Sequence, residues 1–260
     1  MISTIKTIRQ EIVSLNKERK LKLDLTQTDQ ERKVVSEINS HGYSVVENFL
    51  PLEFCNQAIT EIERILVEYK EKIWVDTAGS DYRIFGADKV SPVIDKFYHS
   101  EDNNRITFSY MRCPLQSGFT LAAKLRSVPN NLGSGGGWHR DSAVGRQVKV
   151  ILYLCDVTME NGPFQFLKGS HKKLDFIKKH HKYSLEFNQT RFEDQLVQKM
   201  IADDPSSLIT FPAKAGTALF VDTRGIHRGM PIREGVRYAL TNYYWTAKSL
   251  TKKMAELQVA

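Results

Sequence analysis

The sequence predicts a mostly β chain with a helical N-terminal part packed outside it, because two textures divide its 260 residues. Up to about residue 100, apolar residues recur at helical spacing. From Arg105 onward come short β-prone runs: ITFSYM, TLAAKLRS, QVKVILYL, PFQFL, SLITF, TALFV and VRYALTNYYW. Gly, Pro, Asn and Asp lie between many of them. Many short strands at modest spacing read as a sandwich or barrel. Hydrophobic residues make up 41% and charged residues 26% of the chain, near the globular norm, so a sizeable core can form. The length fits one large domain. We read 1–100 as mainly helical and 101–247 as the β core. An insertion or lid spans about 171–207, and 248–260 is a C-terminal tail.

In chain order, Ile5, Ile8, Ile12 and Leu15 mark an amphipathic helix. Asn39 to Tyr43 is a polar, Gly-containing break. Tyr43 to Val46 is a short strand, and Pro51 stops it. Leu52, Ile59, Ile62, Leu66 and Tyr69 form one helical stripe, the clearest helix in the chain. Residues 76–88 read as a loop with a short strand. Among the later β-runs, Phe192 to Ile201 reads as one helical insertion.

Bulk properties narrow the class. Cys55, Cys113 and Cys155 show no paired spacing, which argues against a disulfide framework or a structural zinc site and suits a reducing cytoplasm. The start, MISTIKTIRQEIVSLNKERK, is too polar for a signal sequence. The apolar run Val150 to Cys155 is too short to span a bilayer. The net charge of +7 is moderate: it reads first as a soluble, Lys-rich protein, and an anionic substrate or a nucleic-acid or membrane surface is the alternative. The densest basic stretch, HKKLDFIKKHHK, lacks the aromatic interleaving of a nucleic-acid surface, so a nucleic-acid partner is not predicted.

The stretch GGGWHRDSA carries the first chemical signal. Residues i and i+2 of an extended segment point to one side, so His139 and Asp141 can aim at one point. His227 follows the run TALFVD and a turn, TRGI, placing an imidazole at a barrel rim. Two histidines and one carboxylate make a facial triad with open positions, the pattern of non-haem Fe(II) oxygenases rather than closed zinc sites. The open positions suit a bidentate 2-oxoacid and dioxygen. The distal carboxylate of a dicarboxylate then needs a guanidinium. Arg237 lies on the last strong β-run; if it points inward, Ala239, Thr241 and Tyr243 do too, with Tyr238, Leu240 and Tyr244 on the other face. Arg233, in the turn-like PIREG, is a less rigid alternative. His180 and His181 read as solvated, His41 as a turn residue, and His99 as lacking a nearby partner. Arg140, between the two ligands, points away from them.

WHRD, VILYLCDVTMENGPFQFLKGSHK, GTALFVDTRGIHRGMP and GVRYAL, in this order, resemble phytanoyl-CoA dioxygenase-like proteins. The resemblance runs from about Arg105 to Trp245, and more faintly back to HGYSVVENFL. It implies a double-stranded β-helix, a cupin-like jelly roll with helices outside. It implies Fe(II), 2-oxoglutarate and dioxygen, with His139, Asp141 and His227 as catalytic metal ligands and Arg237 binding 2-oxoglutarate. Lys149 and Tyr153 share strand parity with a family position facing the cavity, which makes them candidate cosubstrate or substrate contacts. His171 falls in a family turn and strand and reads as structural. Asp141 stands where related halogenases carry a small residue, which disfavours halogenation. The implied reaction is hydroxylation of an unactivated C–H of a small molecule, with release of succinate and CO2. Desaturation, epimerisation or ring formation at the same iron centre is the alternative, and a non-catalytic cupin-like binding module is another. Two lids, about 171–207 and 76–104, would close the site. Lys172, Lys173, Lys178 and Lys179 read most simply as a solvated face; the alternative is that they attract an anionic substrate, phosphorylated, nucleotide-linked or CoA-linked. The oligomeric state stays open.

Overall fold

Thr28 starts the first described helix, α1 (Asp29–His41), through a capping box: its hydroxyl accepts from Glu31 N, and the Glu31 carboxylate accepts from the Thr28 amide. Gly42, at φ 92°, ends it in the left-handed region and turns the chain into β1 (Tyr43–Val46). The structure, a computed structural model, describes Val13 and residues 23–260 except Val144 and Phe187. The predicted stripe Ile5, Ile8, Ile12 and Leu15 lies outside these residues.

Helix α2 (Leu52–Glu68) forms as predicted, but its buried face is rotated. It buries Cys55, Ala58, Ile62 and Ile65, whereas Leu52 is 62% exposed. Small side chains explain the shift. Cys55 and Ala58 let the helix approach the sheet closely, and Cys55 Sγ reaches the Tyr153 carbonyl at 3.9 Å. Next come β2 (Trp74–Val75), β3 (Asp81–Phe85), α3 (Pro92–Tyr98) and α4 (Glu101–Met111). ITFSYM, expected as a β-run, is the second half of α4. The Ser100 hydroxyl caps Asn103 N, Glu101 and Asp102 occupy the first turn, and Ile106 and Tyr110, four apart, bury on one side. The cap and the buried face together outweigh local β preference.

The other strands are β4 (Ser117–Arg126), β5 (Val148–Tyr153), β6 (Phe164–Leu167), β7 (Leu208–Phe211), β8 (Ala218–Asp222), β9 (His227–Gly229) and β10 (Val236–Trp245). They build a seven-stranded sheet, β1-β8-β5-β10-β4-β3-β2, facing a three-stranded sheet, β7-β6-β9. The strand pairs are all antiparallel, giving the jelly-roll layering expected for a double-stranded β-helix. Three of these strands come from the first hundred residues and close both edges of the large sheet.

Strand β10 alternates as predicted. Arg237, Ala239, Thr241 and Tyr243 line the space between the sheets, while Leu240 and Tyr244 join the core beneath α2, α3 and α4. The 171–207 segment holds two helices where one was expected, α5 (Lys173–Tyr183) and α6 (Asp194–Asp203). Phe176 is the buried residue of α5, so its Lys- and His-rich sequence carries almost no apolar period. The tail carries α7 (Lys252–Glu256) and is tied down: Val259 is buried, and its N–H donates to Phe85 O at 2.9 Å. No helix among the described residues is long and apolar enough to cross a membrane.

Ile62→Ala should destabilise the protein by about 2–5 kcal/mol, whereas Leu52→Ala should change stability by less than about 0.5 kcal/mol. Urea denaturation of the two variants checks the rotated face.

Candidate metal centre

A glycine turn delivers the first histidine. Gly133, Gly135, Gly136 and Gly137 have φ of 71°, 89°, 66° and 89°, values that L side chains rarely adopt. At Gly135 a Cβ would also lie 2.2 Å from His139 Cε1. The turn is bare because the imidazole packs directly on it.

Backbone pairing then brings the two histidines together. His139 N donates to His227 O at 2.9 Å, and His227 N donates back to His139 O at 2.8 Å. His227 also pairs with Phe166 of β6. Asp141 N donates to Thr223 O at 2.8 Å. Each imidazole is oriented by its own loop: His139 Nδ1 lies 2.9 Å from Gly137 O, and His227 Nδ1 2.8 Å from Gly225 O. A neutral ring in that contact donates from Nδ1 and leaves the Nε2 lone pair free. The two Nε2 atoms stand 3.9 and 3.8 Å from the Asp141 carboxylate oxygens. One ligand atom from each of the three residues lies within 4.8 Å of the others. Two neutral imidazoles and one carboxylate converging on a point make a fitting donor set for a divalent transition metal.

Electrostatics keep these donors ready. Burial pushes the His139 pKa down to about 3, helped by neighbouring His227 and opposed by Asp141. Burial also lowers His227. For Asp141, burial opposes ionisation, but the Lys149 ammonium at 2.7 Å and the two histidines hold its carboxyl well below the usual range. Lys149 is itself buried, with Nζ 4.0 Å from the Tyr243 ring centroid, and Asp141 keeps it charged against the cost of burial.

These residues line a cavity of about 160 Å³ between the sheets, together with Arg83, Tyr153, Arg191 and Arg237. Arg237 is only 4% exposed, and its Nε has no hydrogen-bond partner. A buried guanidinium N–H without an acceptor is costly, so this end of the cavity fits a ligand carboxylate. Tyr153 contributes its ring, but its hydroxyl is committed: it donates to Phe211 O at 3.2 Å and accepts from Phe164 N at 2.9 Å.

Other candidates lie elsewhere. His171 is buried with Nε2 3.4 Å from Asn39 O. Lys172 and Lys178 are exposed, Lys173 and Lys179 are half-buried, and none of these four lysines of the basic segment lines the cavity. His99, read as lacking a partner, sits 2.8 Å from Asp95 one helical turn earlier. Arg233 is exposed. Arg140 turns away, stacking on Phe176 at 3.7 Å and donating to Gln189 O. Two charged cavity residues escaped the sequence reading. Arg83 shared only an i, i+2 relation with Asp81, the carboxylate it meets at 2.6 Å. Arg191 carried no local signal, since tertiary pairing alone brings it here.

A family model described as phytanoyl-CoA dioxygenase (PhyH) matches residues 38–235. No curated protein matches the chain. Three solved structures share the fold at low identity. The epimerase SnoN, in complex with Fe3+, alpha ketoglutarate and nogalamycin RO, is 18% identical with a TM-score of 0.63 over 84% of each chain. The carbocyclase SnoK from nogalamycin biosynthesis is 17% identical with a TM-score of 0.60, over 82% of this chain and 83% of that one. HygX from Streptomyces hygroscopicus, with nickel and 2-oxoglutarate bound, is 13% identical with a TM-score of 0.61, over 88% and 94%.

Gly135→Ala should displace His139 and weaken divalent-metal binding about 10- to 100-fold, on the scale of outer-shell changes; calorimetric titration with Ni(II) checks this. Both imidazoles titrate below the ordinary value when folded, so the unfolded chain takes up protons first. Stability in chelator should therefore be full above about pH 6.5 and fall below it. Melting at pH 7.5 and 5.5 measures the drop, and His139→Gln should shrink it.

Proposed function

The chain belongs to the phytanoyl-CoA dioxygenase (PhyH) family, and from that premise we propose that it is an Fe(II)- and 2-oxoglutarate-dependent oxygenase that hydroxylates an unactivated C–H of a small molecule. The observation that carries the reading is the convergence of His139, Asp141 and His227, each held by the backbone, with a buried Arg237 lacking an acceptor in the same cavity. When bound there with 2-oxoglutarate and dioxygen, Fe(II) supplies the oxidising power, and succinate and CO2 are released.

The chain's own residues do the rest. His139 and His227 offer Nε2, because Nδ1 is taken by Gly137 O and Gly225 O. Asp141 offers the carboxylate, and Lys149 occupies its Oδ2 at 2.7 Å, which limits how the carboxylate can turn. Arg237 binds the distal carboxylate of 2-oxoglutarate through paired N–H donors. Ala239 and Thr241, next along the same face, keep that wall small enough for the dicarboxylate to lie against β10. Phe164 lies beside His227 at 5.4 Å and shields that side of the imidazole from water. Tyr153 acts as wall rather than as a hydrogen-bonding contact.

The same centre supports epimerisation or ring closure, the activities named for SnoN and SnoK. Product mass separates the outcomes: one oxygen gained for hydroxylation, two hydrogens lost for ring closure or desaturation, and no change for epimerisation. Substrate-dependent succinate release should vanish in Asp141→Ala. Near wild-type turnover in that variant would sink the proposal. Arg237→Gln should raise the half-saturating 2-oxoglutarate concentration by about 30-fold or more, the effect of about 2–5 kcal/mol for losing one partner of a buried charge pair.

A further inference from the structure

Arg191 is fixed beside the metal donors by the backbone. Residues 190–192 run antiparallel to 138–140: Arg140 N donates to Thr190 O at 2.9 Å, and Phe192 N to Trp138 O at 3.0 Å. That sets Arg191 opposite His139, and His139 is opposite His227. Opposed residues of antiparallel segments project to the same face. Arg191, His139 and His227 therefore form one row, and the guanidinium lines the cavity that holds the three donors. Its charge is felt at His227.

The glycine turn holds one end of this guanidinium. Nη1 donates to the carbonyls of Gly135 and Gly136. Carbonyls orient a guanidinium but do not neutralise it. No ion pair among the described residues includes Arg191, and its Nη2 and Nε make no hydrogen bond among them. The other cavity cations are engaged. Lys149 lies on Asp141 at 2.7 Å and Arg83 on Asp81 at 2.6 Å. Arg237 is deeply buried and assigned to the cosubstrate. Arg191 alone among the four is exposed, so it stands at the mouth. The cavity, about 160 Å³, is smaller than the roughly 300–1,000 Å³ of sites for drug-sized ligands. A substrate sharing it with 2-oxoglutarate must extend through that mouth, past Arg191.

We propose that Arg191 anchors an oxyanion of the substrate, a carboxylate or a phosphate monoester, at the rim of the metal centre. The inference rests on the oxygenase reading above and names its substrate class. A guanidinium pinned at one nitrogen presents its remaining edge as a planar donor pair, matched to two oxygens of such a group. The anchor also differs from the Lys-rich segment of α5, whose lysines do not line the cavity.

The test has two stages. The protein is first mixed anaerobically with Fe(II) and 2-oxoglutarate, and the visible charge-transfer band of the chelate is titrated. A small-molecule extract of the source cells is then split on an anion-exchange resin. Each fraction is scored for stimulated succinate release with wild type, Arg191→Gln and Arg191→Lys, after melting curves confirm that the variants fold. The retained fraction should stimulate wild type. Arg191→Gln should need about 10- to 100-fold more of it for half-saturation, and Arg191→Lys should recover part of the loss. No stimulation by the retained fraction, or an equal response of Arg191→Gln, would overturn the anchor. So would a loss that falls on the 2-oxoglutarate titration instead. Failure of the wild-type band to form overturns the oxygenase reading itself, and the anchor with it.

Discussion

Two reciprocal hydrogen bonds, between the backbones of His139 and His227 at 2.9 and 2.8 Å, are the constraint on which the rest of the site depends. Everything around them serves this pairing. The glycine turn admits His139 without a clash, β6 fixes His227 through Phe166, and Thr223 O takes the Asp141 amide. The pairing brings the two ring centroids to 4.3 Å, a separation that two charged imidazoles would resist. Burial removes that conflict by keeping both rings neutral. The conformation that assembles the donors thus also sets their protonation.

Charge distribution explains why the cavity is organised as it is. Among the described residues, Asp141 is the one carboxylate in a wall that also holds Lys149, Arg83, Arg191 and Arg237. Buried charges are tolerated when paired, and Lys149 and Arg83 are paired within the chain. Arg237 is not satisfied in that way, since its Nε lacks an acceptor. The fold therefore leaves a positive end whose charge is not balanced within the chain, the electrostatic complement of an anionic ligand group.

Much of this was legible in the sequence because strand alternation is a local rule. His139 with Asp141, and Arg237 with Ala239, Thr241 and Tyr243, follow from a period of two once their segments are extended. What stayed hidden depended on tertiary packing. ITFSYM has β-prone residues, but Ser100 and the acidic turn after it commit the segment to a helix. The buried face of α2 is chosen by how closely Cys55 and Ala58 approach the sheet, which hydrophobicity alone does not encode. Lys149 shared parity with the cavity face, yet its pairing with Asp141 needed the fold. Arg191 faces the metal donors only because residues 190–192 pair with 138–140.

The Tyr153 hydroxyl has a wider consequence. Tyr153 belongs to the large sheet, while the groups it meets, Phe211 O and Phe164 N, belong to a register pair of the small one. One phenol therefore rivets the two layers together and sets their separation at that point. Room for a bulkier guest cannot come from parting the layers there without breaking both hydrogen bonds. Diversification of this scaffold toward larger molecules is therefore channelled to the part of the cavity lined by loop residues such as Ser134, Gly135 and Arg191.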